Sequence, residues 1–104
     1  MAAKWGEITV KEVSSAINGR QISGSPDEFV KGLSTDSRKM TPGHIFLAIK
    51  GERYDGHNFL TNAINAGAVG VIVESDTYIA KELLDKNLVV INVSSTLKAL
   101  GDLA

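Results

Sequence analysis

Ile45-Phe-Leu-Ala-Ile49, Lys50-Gly-Glu-Arg-Tyr-Asp-Gly-His57, Asn58-Phe-Leu-Thr-Asn-Ala-Ile-Asn-Ala-Gly67 and Ala68-Val-Gly-Val-Ile-Val-Glu74 follow one another without a break. The first and last are short, continuous apolar runs, the pattern of strands covered on both faces. Between them Phe59, Leu60, Ala63 and Ile64 recur at helical spacing, Asp55 stands where a cap would, and Gly67 ends the stripe. Strand, polar loop, helix, strand is the signature of a crossover unit, and a crossover joins parallel strands.

Working outward, Leu88 to Val93 is another continuous apolar strand, and Ile79, Ala80, Leu83 and Leu84 mark a helix between Asp76 and Lys86. Upstream, Thr41-Pro42-Gly43-His44 places Pro and Gly at the centre of a type II turn that launches the 45–49 strand. Phe29 to Leu33 reads as a strand, and Arg20 to Glu28, with Gly24, Ser25 and Pro26, as a polar, turn-rich connection. Thr9 and Glu12 have capping-box spacing before Val10, Val13 and Ile17, so a helix is expected over about 10–18, with Gly19 in the left-handed position beyond it. Leu97, Leu100 and Leu103 start a last helix that reaches Ala104 with no capping residue, which predicts weak anchoring and a continuation of the chain. The fold class expected is α/β: a small mixed, largely parallel sheet with helices packed on its faces.

Length and composition fit this. A chain of 104 residues makes one domain, which buries about two thirds of its unfolded surface. Eleven Lys and Arg against twelve Asp and Glu give a net charge of -1, so no global field draws the chain to nucleic acid or an anionic membrane. The absence of cysteine removes disulfides and thiolate metal sites and suits a reducing compartment, so a cytoplasmic location is expected. Neither a signal-peptide core nor a run approaching ~18 apolar residues occurs, so no membrane insertion is expected.

In an open α/β sheet, ligands collect beyond the carboxyl ends of the strands. Two polar loops meet that condition, Thr35 to Lys39 and Lys50 to His57. They offer Arg38, Lys50 and Arg53 as cations, the Thr35 and Ser37 hydroxyls as directed hydrogen-bonding groups, and Tyr54 as a ring to stack on a planar ligand. Together these suit a nucleoside diphosphate. The same residues also fit solvated loop charges and turn hydroxyls bonding their own backbone. His44 and His57, the only histidines, lack metal-ligand spacing, and Ser37 has no G-x-S-x-G context. No G-x-x-x-x-G-K-[ST] motif is present to cradle ATP, so neither a catalytic residue nor a metal site is expected here.

The stretches Ser34-Thr-Asp-Ser-Arg38, Pro42-Gly-His-Ile-Phe-Leu-Ala-Ile-Lys-Gly51-Glu-Arg-Tyr-Asp-Gly-His-Asn-Phe59 and Ala63-Ile-Asn-Ala-Gly-Ala68 resemble, in that order, the N-terminal domain of the Mur ligases. The loop Lys50 to His57 is most similar to the branch that adds D-alanyl-D-alanine to a UDP-linked muramoyl tripeptide; the sister branch adds the third peptide residue. The resemblance implies an enzyme that couples ATP cleavage to amide formation through an acyl phosphate in cytoplasmic peptidoglycan synthesis. It also implies that ATP, magnesium and a carbamylated lysine belong to a central domain, and that a C-terminal domain helps to bind incoming groups. Residues 1–104 would then be a single domain that grips the UDP end of the substrate without catalysing alone, with 95–104 leading towards the central domain.

Carried over by motif position, Thr35 and Ser37 flank the nucleotide, and Glu52, Arg53 and Tyr54 form the loop that closes over it. The Ser37 hydroxyl would meet the uridine diphosphate and the Arg53 guanidinium a phosphate or sugar oxygen, while Asp36 and Arg38 shape the loop and Arg38 reaches towards phosphate. Two other classes stay open on the residues alone: a free-standing nucleotide-binding regulator, and a scaffold domain with inert loops.

Overall fold

The computed structural model describes residues 5–75, 77–79, 81 and 87–103. Its elements run β1 (Ile8–Thr9), α1 (Val10–Ala16), β2 (Arg20–Ser23), β3 (Phe29–Val30), β4 (Gly32–Ser34), a 3-10 turn (Ser37–Lys39), β5 (His44–Leu47), a second 3-10 turn (Gly56–Phe59), α2 (Leu60–Asn65), β6 (Gly70–Glu74), β7 (Val89–Val93) and α3 (Thr96–Leu103). Most of the helix expected between Asp76 and Lys86 lies outside the described residues; of those described there, the partly buried Ile79 packs against the core.

Five strands form one sheet in the order β2-β7-β6-β5-β4, with β4, β5, β6 and β7 mutually parallel and β2 antiparallel at the edge. The mixed, largely parallel sheet expected from the alternation of elements is therefore present. Its central strands are buried on both sides, and successive side chains go to opposite layers. Ile45, Leu47, Ile72, Val89 and Ile91 join Val10, Val13, Ala99 and Leu103 of α1 and α3. Phe46, Ala48, Val71, Val73 and Val90 meet Leu60 and Ala63 of α2 on the other face.

Three expectations about the strands and the last helix need correction. Residues 20–23 form a strand, because Arg20 and Gln21 pair with Asn92 and Ile91 of β7; the polar, half-exposed character of the stretch is that of an edge. The run Phe29 to Leu33 is divided between two sheets: β3 pairs antiparallel with β1, and β4 pairs parallel with β5. The last helix is anchored rather than loose, since Thr96, Ala99 and Leu103 are buried, although Leu97 is 54% exposed.

Local chemistry follows the sequence closely. Thr9 and Glu12 make the capping box of α1. That helix ends earlier than expected, and Asn18 at φ 52°, not Gly19, takes the left-handed position. Gly19 instead lies where a Cβ would come 2.5 Å from Ile91 Cγ2. The Pro42-Gly43 turn forms with Gly43 at φ 89° and the His44 N–H donating to the Thr41 carbonyl at 3.0 Å.

Candidate functional site

Residues 35–39 leave the carboxyl end of β4, and residues 48–57 leave the carboxyl end of its parallel neighbour β5. The two loops are thereby side by side at one edge of the sheet. Between them lies an open cleft of about 240 Å³ lined by Asp36, Ser37, Arg38, Tyr54 and Phe59.

One wall is the 3-10 turn. The Asp36 carboxylate accepts the Arg38 backbone N–H at 2.9 Å and pairs with the guanidinium through Nε at 3.1 Å and Nη2 at 2.9 Å. The Arg38 side chain bond, then the backbone bond, hold the Asp36 carboxyl at about 2, well below its ordinary 3.8, and the same pairing raises Arg38. With the Arg38 side chain 86% exposed, this pair is screened by water and contributes shape more than stability. It leaves Ser37 between a fixed anion and a fixed cation at the mouth of the cleft.

The opposite wall is aromatic. Tyr54 and Phe59 stack with centroids 5.9 Å apart and planes at 15°, both partly exposed. Tyr54 belongs to a tight loop in which Gly51 N–H donates to the Tyr54 carbonyl at 2.8 Å and Lys50 bridges Asp55. Gly56 then folds back on β5, its N–H donating to the Ile49 carbonyl at 2.7 Å; a Cβ there would lie 2.9 Å from Ile49 N. Asp55 caps the second 3-10 turn by accepting the His57 N–H at 2.9 Å, a bond that also heads the causes lowering its carboxyl.

Of the residues singled out in the sequence, Ser37, Arg38 and Tyr54 are brought together at the cleft. Thr35 is half-buried at the root of the first loop, outside the lining, and Glu52 and Arg53 are exposed in the Gly51–Tyr54 loop. Phe59 was expected in the apolar stripe of a helix but lies in the 3-10 turn and faces the cleft, because three residues per turn rotate it off the core-facing side. The signal available was its proximity to Gly56, which breaks helical continuity. His57 lies in the same 3-10 turn and accepts the Glu74 backbone N–H at Nε2, 3.0 Å away. Among the described residues no group of three His, Cys, Asp or Glu side chains is arranged to hold a metal.

A cleft with one aromatic wall, a hydroxyl and a presented guanidinium can stack a planar ring and hydrogen-bond a polar or anionic neighbour. Its size admits a small ligand or one end of a larger one.

A profile described as the Mur ligase family, catalytic domain, matches residues 29–104. The chain is 36% identical over 97 residues to UDP-N-acetylmuramoyl-tripeptide--D-alanyl-D-alanine ligase of Escherichia coli, covering 93% of this chain and 20% of that protein. It is 35% identical over 97 residues to UDP-N-acetylmuramoyl-L-alanyl-D-glutamate--2,6-diaminopimelate ligase of Phocaeicola vulgatus, covering 93% and 19%. A solved structure of MurF from Acinetobacter baumannii superposes with a TM-score of 0.71 at 31% identity, over 94% of this chain and 20% of that one. The chain thus spans about one fifth of the length of these relatives.

Proposed function

This chain belongs to the Mur ligase family, and we propose that it holds the uridine diphosphate end of a UDP-linked muramoyl peptide for an ATP-dependent ligase of the MurF type. That ligase adds D-alanyl-D-alanine to UDP-N-acetylmuramoyl-tripeptide in cytoplasmic peptidoglycan synthesis. The observation that carries the reading is the cleft in which the Asp36-Ser37-Arg38 turn faces the Tyr54 and Phe59 rings, at the carboxyl ends of parallel strands.

In this reading the uracil lies against the aromatic wall, Ser37 donates to the nucleotide, and Arg38 presents charge towards a phosphate. Thr35 supports the first loop from behind. Glu52 and Arg53 close from the second, Arg53 meeting a phosphate or sugar oxygen. ATP and magnesium are held by a central domain, a C-terminal domain helps to bind incoming groups, and this chain alone neither hydrolyses ATP nor ligates. No helix among the described residues is long and apolar enough to cross a membrane.

A second reading, the sister ligase that adds the third peptide residue, is favoured by the 35% identity to the diaminopimelate ligase of P. vulgatus. The Lys50–His57 loop favours the MurF type. A ligase assay of the full-length protein decides, with D-alanyl-D-alanine and diaminopimelate offered in turn to the matching UDP-linked acceptors. Exclusive use of diaminopimelate would remove the MurF assignment and leave the UDP-binding role intact. UDP titration of this chain tests that role.

A further inference from the structure

We propose that Thr96, Glu74 and His57 are positioning residues that hold the Lys50–Asp55 loop, and with it the Tyr54 wall of the cleft, through a chain of hydrogen bonds that the backbone bridge between Asp55 and Lys50 closes into a ring. The Lys50 N–H donates to Thr96 Oγ1 at 3.1 Å. Thr96 donates in turn to Glu74 Oε2 through both its hydroxyl and its backbone N–H, each at 3.1 Å. The Glu74 N–H donates to His57 Nε2 at 3.0 Å. The remaining ring nitrogen of His57 lies 2.6 Å from Asp55 Oδ1, and Asp55 faces Lys50 across the antiparallel backbone bridge made by the Gly51 N–H to Tyr54 carbonyl and Gly56 N–H to Ile49 carbonyl hydrogen bonds. Since Nε2 accepts, the imidazole proton resides on Nδ1 and is donated to Asp55.

Both feet of the loop are therefore tied to distant elements, Lys50 to the first residue of α3 and Asp55 to the end of β6, and only Gly51 to Tyr54 projects between them. Thr96 is fully buried and the His57 side chain nearly so, and neither lines the cleft. Every member of the ring has its partner, the condition under which a polar network fixes one geometry instead of destabilising the fold. The ring also makes α3 and the nucleotide loop one mechanical unit, so a displacement of the α3 N-terminus reaches Tyr54 without passing through the ligand. This inference rests on the nucleotide reading of the cleft.

The test uses Thr96→Val, which keeps the shape of the side chain but neither bond of its hydroxyl; Thr96→Ser, which restores the hydroxyl; and His57→Phe, which keeps a ring without its nitrogens. For each, amide exchange of Gly51 and the UDP Kd are measured by NMR. Thr96→Val and His57→Phe are expected to speed Gly51 exchange by about tenfold and to raise the UDP Kd by about three- to tenfold, with Thr96→Ser close to the parent chain. Should Thr96→Val not fold, His57→Phe gives the same two readings. A folded Thr96→Val or His57→Phe chain with parental Gly51 exchange, or with faster exchange and unchanged Kd, overturns the proposal. A parent chain that binds no UDP, while the variants still loosen Gly51, contradicts the nucleotide reading and upholds the ring as the support of the loop.

Discussion

Asp36 grips Arg38 twice, accepting its backbone N–H at 2.9 Å and pairing with its guanidinium at 2.9 and 3.1 Å. A carboxylate two residues upstream thus sets both the path of the turn and the direction of the nearest cation. Because the folded-state value is depressed, the carboxylate's contribution is present above the unfolded value near 3.8 and is lost as pH falls through about 2. The pair should therefore stay intact across the neutral and mildly acidic range. A carboxyl NMR titration is expected to place the Asp36 midpoint near 2 and to move it towards 3.8 in Arg38→Ala.

The aromatic wall should matter for binding far more than for folding. Tyr54 and Phe59 are 45% and 38% exposed, so little core packing is lost when either is truncated. Tyr54→Ala or Phe59→Ala is expected to cost about 1–3 kcal/mol of UDP binding if the uracil stacks there, and Tyr54→Phe to retain most of it. Calorimetric titration with UDP, alongside a thermal melt, separates the two effects. A Tyr54→Ala chain that binds UDP as the parent does would remove the stacking role.

Polar contacts with the ligand give a graded series. Ser37→Ala should weaken UDP binding by about 1 kcal/mol, the worth of one hydrogen bond. Arg53→Ala should cost about 1.5–3 kcal/mol if its guanidinium closes on phosphate, and that loss should shrink with added salt. A salt-independent Arg53→Ala effect would argue for a packing role instead.

The loop's return path makes a prediction about stability alone. A Cβ at Gly56 would lie 2.9 Å from Ile49 N and 3.0 Å from Ala48 Cα, backbone atoms that cannot swing aside. Gly56→Ala is expected to destabilise by about 1–3 kcal/mol in urea unfolding. Gly51→Ala, where the nearest atom to the added carbon is 3.9 Å away, should stay within about 0.5 kcal/mol.

What could be read from the sequence follows from what is local. The runs around Phe46, Ile72 and Ile91 announce buried parallel strands because both faces are apolar, and the loops after β4 and β5 fall where such sheets bind ligands. Edge strand β2 was hidden because Arg20, Gln21 and Ser23 carry no apolar pattern; pairing with β7 defines it. Phe29 to Leu33 shows the same limit, since a two-residue period marks a strand without saying which sheet it joins. In the site, Ser37, Arg38 and Tyr54 were legible from residue type and loop position. Phe59 was not, because a 3-10 turn and a helix share the same apolar residues at different rotations. The anchoring of α3 and the link from Thr96 to Lys50 depend on partners up to 46 residues apart, which no local pattern reports.

The central claim is that the cleft between the two loops is a nucleotide site, and an NMR titration of this chain with UDP tests it most directly. If further domains grip the rest of the substrate, as proposed, such an experiment lacks their contacts, so the Kd should be about 0.1–10 mM. Shifts are predicted to concentrate at Ser37, Arg38, Tyr54 and Phe59, with the amides of β6 and β7 still. No movement in either loop at about 10 mM UDP, or shifts spread evenly over the sheet, would contradict it.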